Sequence, residues 1–207
     1  MELHDALSQI AEIRRQMSRG QIFRGYSAAG TAFSALVALA AALLQPVCVT
    51  DPVRDPAAYL LVWLAAAGVS LLGAAGAVAL RYFRRESPLE REMTLVAADQ
   101  FLPSLVAGGL LTWVLATSAP DSVWMLPGLW AILFSLGLFA SRRFLPRGIF
   151  LPAGFYLLSG ASCLSVPPET ALSPWTMGLL FGVGQLMTAA VLYLTLERKE
   201  PADAPVA

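Results

Sequence analysis

The chain has 207 residues, 57% of them hydrophobic and 14% charged, with 14 basic and 14 acidic side chains and a mean hydropathy of +0.65. Soluble domains carry roughly a quarter charged residues, so this composition excludes an ordinary water-soluble globule, and the length leaves no room for a separate catalytic domain. The arginines fall in small groups between apolar runs rather than on one basic face, which argues against nucleic-acid binding.

Ahead of the first apolar run, Leu3, Leu7, Ile10, Ile13 and Met17 recur at three- and four-residue steps, and Gly20 follows as a stop signal. This predicts an amphipathic helix within residues 1–24. Such a stripe suits a helix lying on the membrane surface or against the bundle, or a seam for self-association or for a protein partner.

Six stretches free of Asp, Glu, Lys and Arg follow: 25–50, 56–80, 100–120, 122–141, 148–168 and 170–196. A spanning helix needs about 20 apolar residues, and continuous apolar runs without alternation select helices rather than a barrel. The expectation is an all-α six-helix membrane bundle over 25–196, with spans near 26–46, 57–80, 95–117, 123–141, 149–166 and 175–196. The first run is too long, and too far from the N-terminus, for a cleaved leader. Gln45-Pro46-Val47-Cys48 also lacks the small residues that precede a lipoprotein cysteine.

Helix starts are legible at Asp55-Pro56 and Ser173-Pro174, where a capping residue precedes a proline at the first helical position. Ser87-Pro88-Leu89-Glu90 adds the glutamate of a capping box, so the third helix begins before its membrane part. The tail, 197–207, is charged and then rich in proline and alanine, with too little apolar surface to fold.

Orientation follows from the basic residues, which short loops retain on the cytoplasmic side. With both termini inside, thirteen of the fourteen lie on that side and Arg54 alone lies outside. Trp63, Trp113, Trp124, Trp130 and Trp175 then fall in the outward halves of their spans, as interfacial tryptophans do. The excess of Arg over Lys, with abundant Ala, suggests a GC-rich bacterial genome and hence a multi-pass protein of the bacterial cytoplasmic (inner) membrane. Residues 100–104 resemble 149–153, which hints at repeated hairpins.

Few residues carry chemistry. Asp99 is an acidic side chain at the margin of the third span, where a carboxylate is costly and often marks an ion path. Pro103, four residues on, cannot donate to the Asp99 carbonyl, so Asp99, Gln100, Pro103 and Ser104 form a candidate ion or polar site. Gln185 is the other polar residue deep in a span and suits interhelical bonding; Gly178 with Gly182, and Gly30 with Ser34, suit close helix packing. Cys48 and Cys163 share the outer side, but their separation gives no geometric warrant for a disulfide. His4 is the one histidine, so bis-histidine haem, histidine-rich zinc and Ser-His chemistry lack their residues. The expectation is a non-enzymatic membrane protein of interaction or regulation, without metal or cofactor. The alternative is a small secondary transporter or ion-coupled permease using Asp99.

Overall fold

The computed structural model describes residues 28–84, 88–143 and 145–197, with the side chains of 78, 80–98, 143 and 196–197 excepted. The expected N-terminal helix, including Leu3, Leu7, Ile10, Ile13 and Met17, lies outside the described residues, as does the tail from 198 onward.

The described chain is all-helical. Helices α1 (Ala28–Cys48), α2 (Pro56–Arg84) and α3 (Pro88–Ser118) are followed by a 3-10 segment, Pro120–Met125, that leads into α4 (Leu126–Ala140). Next come 3-10 turns at Ser141–Arg143 and Arg147–Ile149, then α5 (Phe150–Cys163), a single turn at Pro168–Ala171, and α6 (Pro174–Leu192), which ends in a π turn at Tyr193–Glu197. Among the described residues, five helical segments are long and apolar enough to cross a membrane: Ala28–Cys48, Pro56–Ala77, Asp99–Ser118, Pro120–Ala140 and Pro174–Thr195. The stretch expected as the fifth of six spans forms α5, which has 14 residues and is therefore about 21 Å long.

Local chemistry sets the helix starts. The Asp55 carboxylate accepts from the Ala58 amide at 3.0 Å, capping α2 as the Asp-Pro pair predicts. Asp51 folds the preceding turn by accepting from the amides of Val53 and Arg54, each at 3.1 Å. Ser173 does occupy the N-cap of α6, but its side chain makes no capping bond. The Thr176 amide reaches the Ser173 carbonyl, and the Thr176 hydroxyl donates to the Thr170 carbonyl at 2.6 Å; the turn at Pro168–Ala171 thus closes onto α6 through Thr176.

The helices alternate in direction and neighbour one another in the order α2, α1, α6, α5, α4, α3, with α1 on α6 the most extensive contact and α2 on α3 slight. Side-chain volume decides these approaches. A Cβ on Gly178 would lie 2.5 Å from the Ala42 Cβ, so α6 can lie this close to α1 only without a side chain there. Gly128 of α4 and Gly160 of α5 face each other's carbonyl oxygens, 2.7 Å from where a Cβ would stand. Lipid is as apolar as leucine, so such small-residue contacts are the means by which helices associate in a bilayer.

Between these contacts the interior is filled by rings. Phe101 of α3, Phe134 of α4, Tyr156 of α5 and Phe181 of α6 meet in one cluster: Phe134 lies 5.1 Å from Phe101, 4.8 Å from Tyr156 and 5.9 Å from Phe181, centroid to centroid. The Phe101–Phe134 and Phe134–Phe181 pairs are edge-on, the arrangement the ring quadrupoles favour. Leucine, valine and tryptophan side chains on the outer faces of α2 and α3 remain exposed, where lipid would be their solvent.

Candidate functional site

A polar clamp closes one end of the bundle. Along α1, Ala35, Ala38 and Ala42 line one face, and the next position on it is Gln45; all four are buried. A buried amide is costly unless both its ends are bonded. Gln45 donates from Nε2 to the Leu172 carbonyl at 2.9 Å and accepts on Oε1 from the Trp63 indole N–H at 2.8 Å. A carbonyl can only accept and an indole N–H can only donate, so the two partners fix which way the amide points. One side chain thus ties α1 to α2 and to the turn that precedes α6.

Pro46 follows immediately and cannot donate to the Ala42 carbonyl. The helix nonetheless continues to Cys48, and the Val49 amide donates to the Gln45 carbonyl at 2.8 Å. One turn before Trp63 on α2, Tyr59 is fully buried, its ring 6.4 Å from that of Trp63, and its hydroxyl has no hydrogen-bond partner among the described residues. Tyr59, Trp63, Val123, Leu126, Leu172 and Met177 belong to one apolar cluster beneath the loops.

Above that cluster is a cavity of about 360 Å³. Its walls come from three segments: Arg54 and Pro56 at the start of α2, Pro120, Asp121 and Trp124 in the 3-10 segment, and Pro168 before α6. Val123 and Leu172, both buried, line its base. Leu172 therefore both lines the cavity and holds the Gln45 amide. The loops at this end, 49–55, 119–125 and 164–173, carry Asp51, Asp55, Asp121 and Glu169 against Arg54 alone, a net charge of −3. Arg54 Nε lies 3.3 Å from an Asp51 carboxylate oxygen, and both side chains are well exposed.

The residues singled out from sequence lie elsewhere. Asp99 and Pro103 are exposed on α3, Gln100 and Ser104 are half-buried, and it is Phe101 between them that turns inward, against Phe134 and Gly137. No hydrogen bond or ion pair joins Asp99, Gln100 and Ser104 among the described residues, and they stand at the end of the bundle opposite the cavity. Gln185 is half-buried, and no side-chain bond holds it among the described residues. Ser34 donates to the Gly30 carbonyl within its own helix at 3.3 Å. Gly178 and Gly182 lie against Ala42 and Leu39 of α1. Cys48 is exposed, Cys163 is buried, and both thiols are free.

Sequence reading missed Gln45 and its partners. The signal was present, since Gln45 continues a face of small residues, Ala35, Ala38 and Ala42, at three- and four-residue steps; an amide in that position can only meet a neighbouring helix. No family, no curated protein and no solved structure matches this chain.

Proposed function

We propose that this chain crosses a bacterial cytoplasmic membrane six times with both termini inside, and that it acts without catalysis as a scaffold for interaction or regulation. The contact surface is the predicted N-terminal helix together with the arginine-rich loops. Two features support the sixth crossing. A Cβ on Gly148, just before α5, would meet Val191 near the end of α6, whereas a Cβ on Gly128, at the start of α4, would meet Leu164 just after α5; α5 thus runs the same course between the two ends as its neighbours. With the 3-10 turn Arg147–Ile149 added, the segment reaches about 27 Å, close to the roughly 30 Å of hydrocarbon.

The observation that carries the scaffold reading is the ring cluster. Four helices each contribute one aromatic side chain to it, and rings in mutual contact between α3, α4, α5 and α6 favour a packed support over an open passage. The carrier reading rests on Asp99, whose exposed side chain is outside that packing while its neighbour Phe101 fills the interior.

Affinity purification from membranes solubilised in a mild maltoside detergent tests the scaffold. The full chain is expected to retain a protein partner or a second copy, and a chain lacking residues 1–19 is expected to lose it. Absence of any retained partner or second copy from the full chain, with no effect of deleting residues 1–19, would refute the scaffold, and ion-coupled flux in proteoliposomes that Asp99→Asn abolishes would favour the carrier instead. Reporter fusions after residue 207 and within 49–55 test the orientation, with the first expected inside and the second outside.

A further inference from the structure

We propose that the cavity at the loop end binds a compact zwitterion, one carrying an ammonium group and a phosphodiester or carboxylate, as the ethanolamine headgroup of a phospholipid does. The proposal goes beyond the scaffold reading and does not rest on it.

Size and rigidity come first. The cavity holds about 360 Å³ and is partly open to solvent, which suits a molecule of headgroup size that keeps one side exposed. Three prolines, Pro56, Pro120 and Pro168, stand in its walls and fix the backbone there. Its base is held by the bond from Gln45 to Leu172, so little ordering is left for a ligand to impose.

Charge then selects the class of ligand. Arg54 and Asp121 line the cavity from different segments, the turn before α2 and the 3-10 segment before α4. Asp51 engages Arg54 through Nε, which leaves the other guanidinium N–H groups to meet an anion. No cation pairs with Asp121 among the described residues, so its carboxylate can meet an ammonium. Trp124 also lines the cavity, and an indole is the ring that attracts an ammonium most strongly. A simple cation would find Asp121 but leave the remaining Arg54 N–H groups unused, and a simple anion would find Arg54 but meet Asp121 within a loop surface of net charge −3. A zwitterion satisfies both groups at once.

Isothermal titration of the full chain in maltoside micelles with glycerophosphoethanolamine, ethanolamine and glycerol phosphate tests this. The zwitterion is expected to bind saturably and about tenfold more tightly than either fragment, each of which carries charge of one sign only. Arg54→Gln and Asp121→Asn are each expected to weaken it about tenfold with the unfolding temperature unchanged, because both side chains are exposed. Absence of saturable binding to the parent protein, equal affinity for a fragment, or undiminished binding to the Arg54→Gln/Asp121→Asn double variant would overturn the proposal. Nanodiscs then name the source of the ligand. A site filled by lipid headgroups binds added glycerophosphoethanolamine in phosphatidylglycerol discs but not in phosphatidylethanolamine discs, whereas a site for a free solute binds it in both; either result upholds the zwitterion site.

Discussion

Replacing Gln45 by leucine fills nearly the same volume but strands two groups, the Leu172 carbonyl and the Trp63 indole N–H, in a region where Gln45 itself is 1% exposed. Hydrogen bonds between helices in a bilayer contribute about 0.6 kcal/mol on average and up to about 1.7 kcal/mol. Two such losses place the cost of Gln45→Leu at roughly 1–3 kcal/mol. Trp63→Phe removes only the donor and some ring area, and it leaves Gln45 still bonded to Leu172. The informative quantity is therefore the coupling in a double-mutant cycle, expected at about 0.6–1.7 kcal/mol. Reversible unfolding in mixed micelles with increasing dodecyl sulfate, followed by circular dichroism, measures each corner of the cycle. Additivity of the two substitutions within about 0.3–0.5 kcal/mol would mean that Gln45 and Trp63 do not share a bond, and the clamp would be refuted.

Gly178→Ala drives a Cβ to within 2.5 Å of the Ala42 Cβ and is expected to destabilise by about 1–3 kcal/mol, whereas Gly109→Ala, which enters open space, should stay within about 0.5 kcal/mol in the same unfolding assay. Asp55→Ala removes the bond to the Ala58 amide and is expected to cost about 1 kcal/mol, with Asp55→Asn retaining most of it. Maleimide labelling of the folded protein in detergent should modify Cys48 much faster than Cys163; equal rates would contradict the burial of Cys163.

How much of this was legible in the sequence depended on which interactions are local. Helix starts set by adjacent residues, such as Asp55 with Pro56, read directly, because cap and proline act within one turn. The capping bond expected from Ser173 failed for a tertiary reason: the preceding turn at Pro168–Ala171 brings the Thr170 carbonyl to Thr176, and the chain closes through that contact instead. The apolar run at 148–168 promised a longer helix than forms. Ser165 and Val166 fall in the turn that leads to Pro167 and Pro168, and the residue before a proline is pushed out of the helical region. Residue type and depth marked Asp99 as the polar site because a carboxylate is the costlier group, yet cost decides nothing until the face is known. Phe101, two positions on, takes the inward direction, and Asp99 keeps the outward one.

The same reasoning explains why Gln45 rather than Gln185 became the clamp. Each is a single amide on an apolar helix, and each is surrounded by small residues that permit close approach. Gln45 sits near the end of α1, where the α6 segment has not yet begun its own helical bonding and the Leu172 carbonyl is free to accept. Gln185 lies in the middle of α6, where neighbouring backbone carbonyls already accept within their helices and only a donor that packs directly against one, as Ser135 does on the Ala153 carbonyl, shares it. An amide as long as that of Gln45 thus finds its main-chain partner next to the loops, where a carbonyl is left unengaged. That is also where the cavity lies, so the groups that stabilise the bundle and the groups that could bind a ligand share Leu172. Gln45 therefore connects the base of that cavity directly to α1 and, through Trp63, to α2.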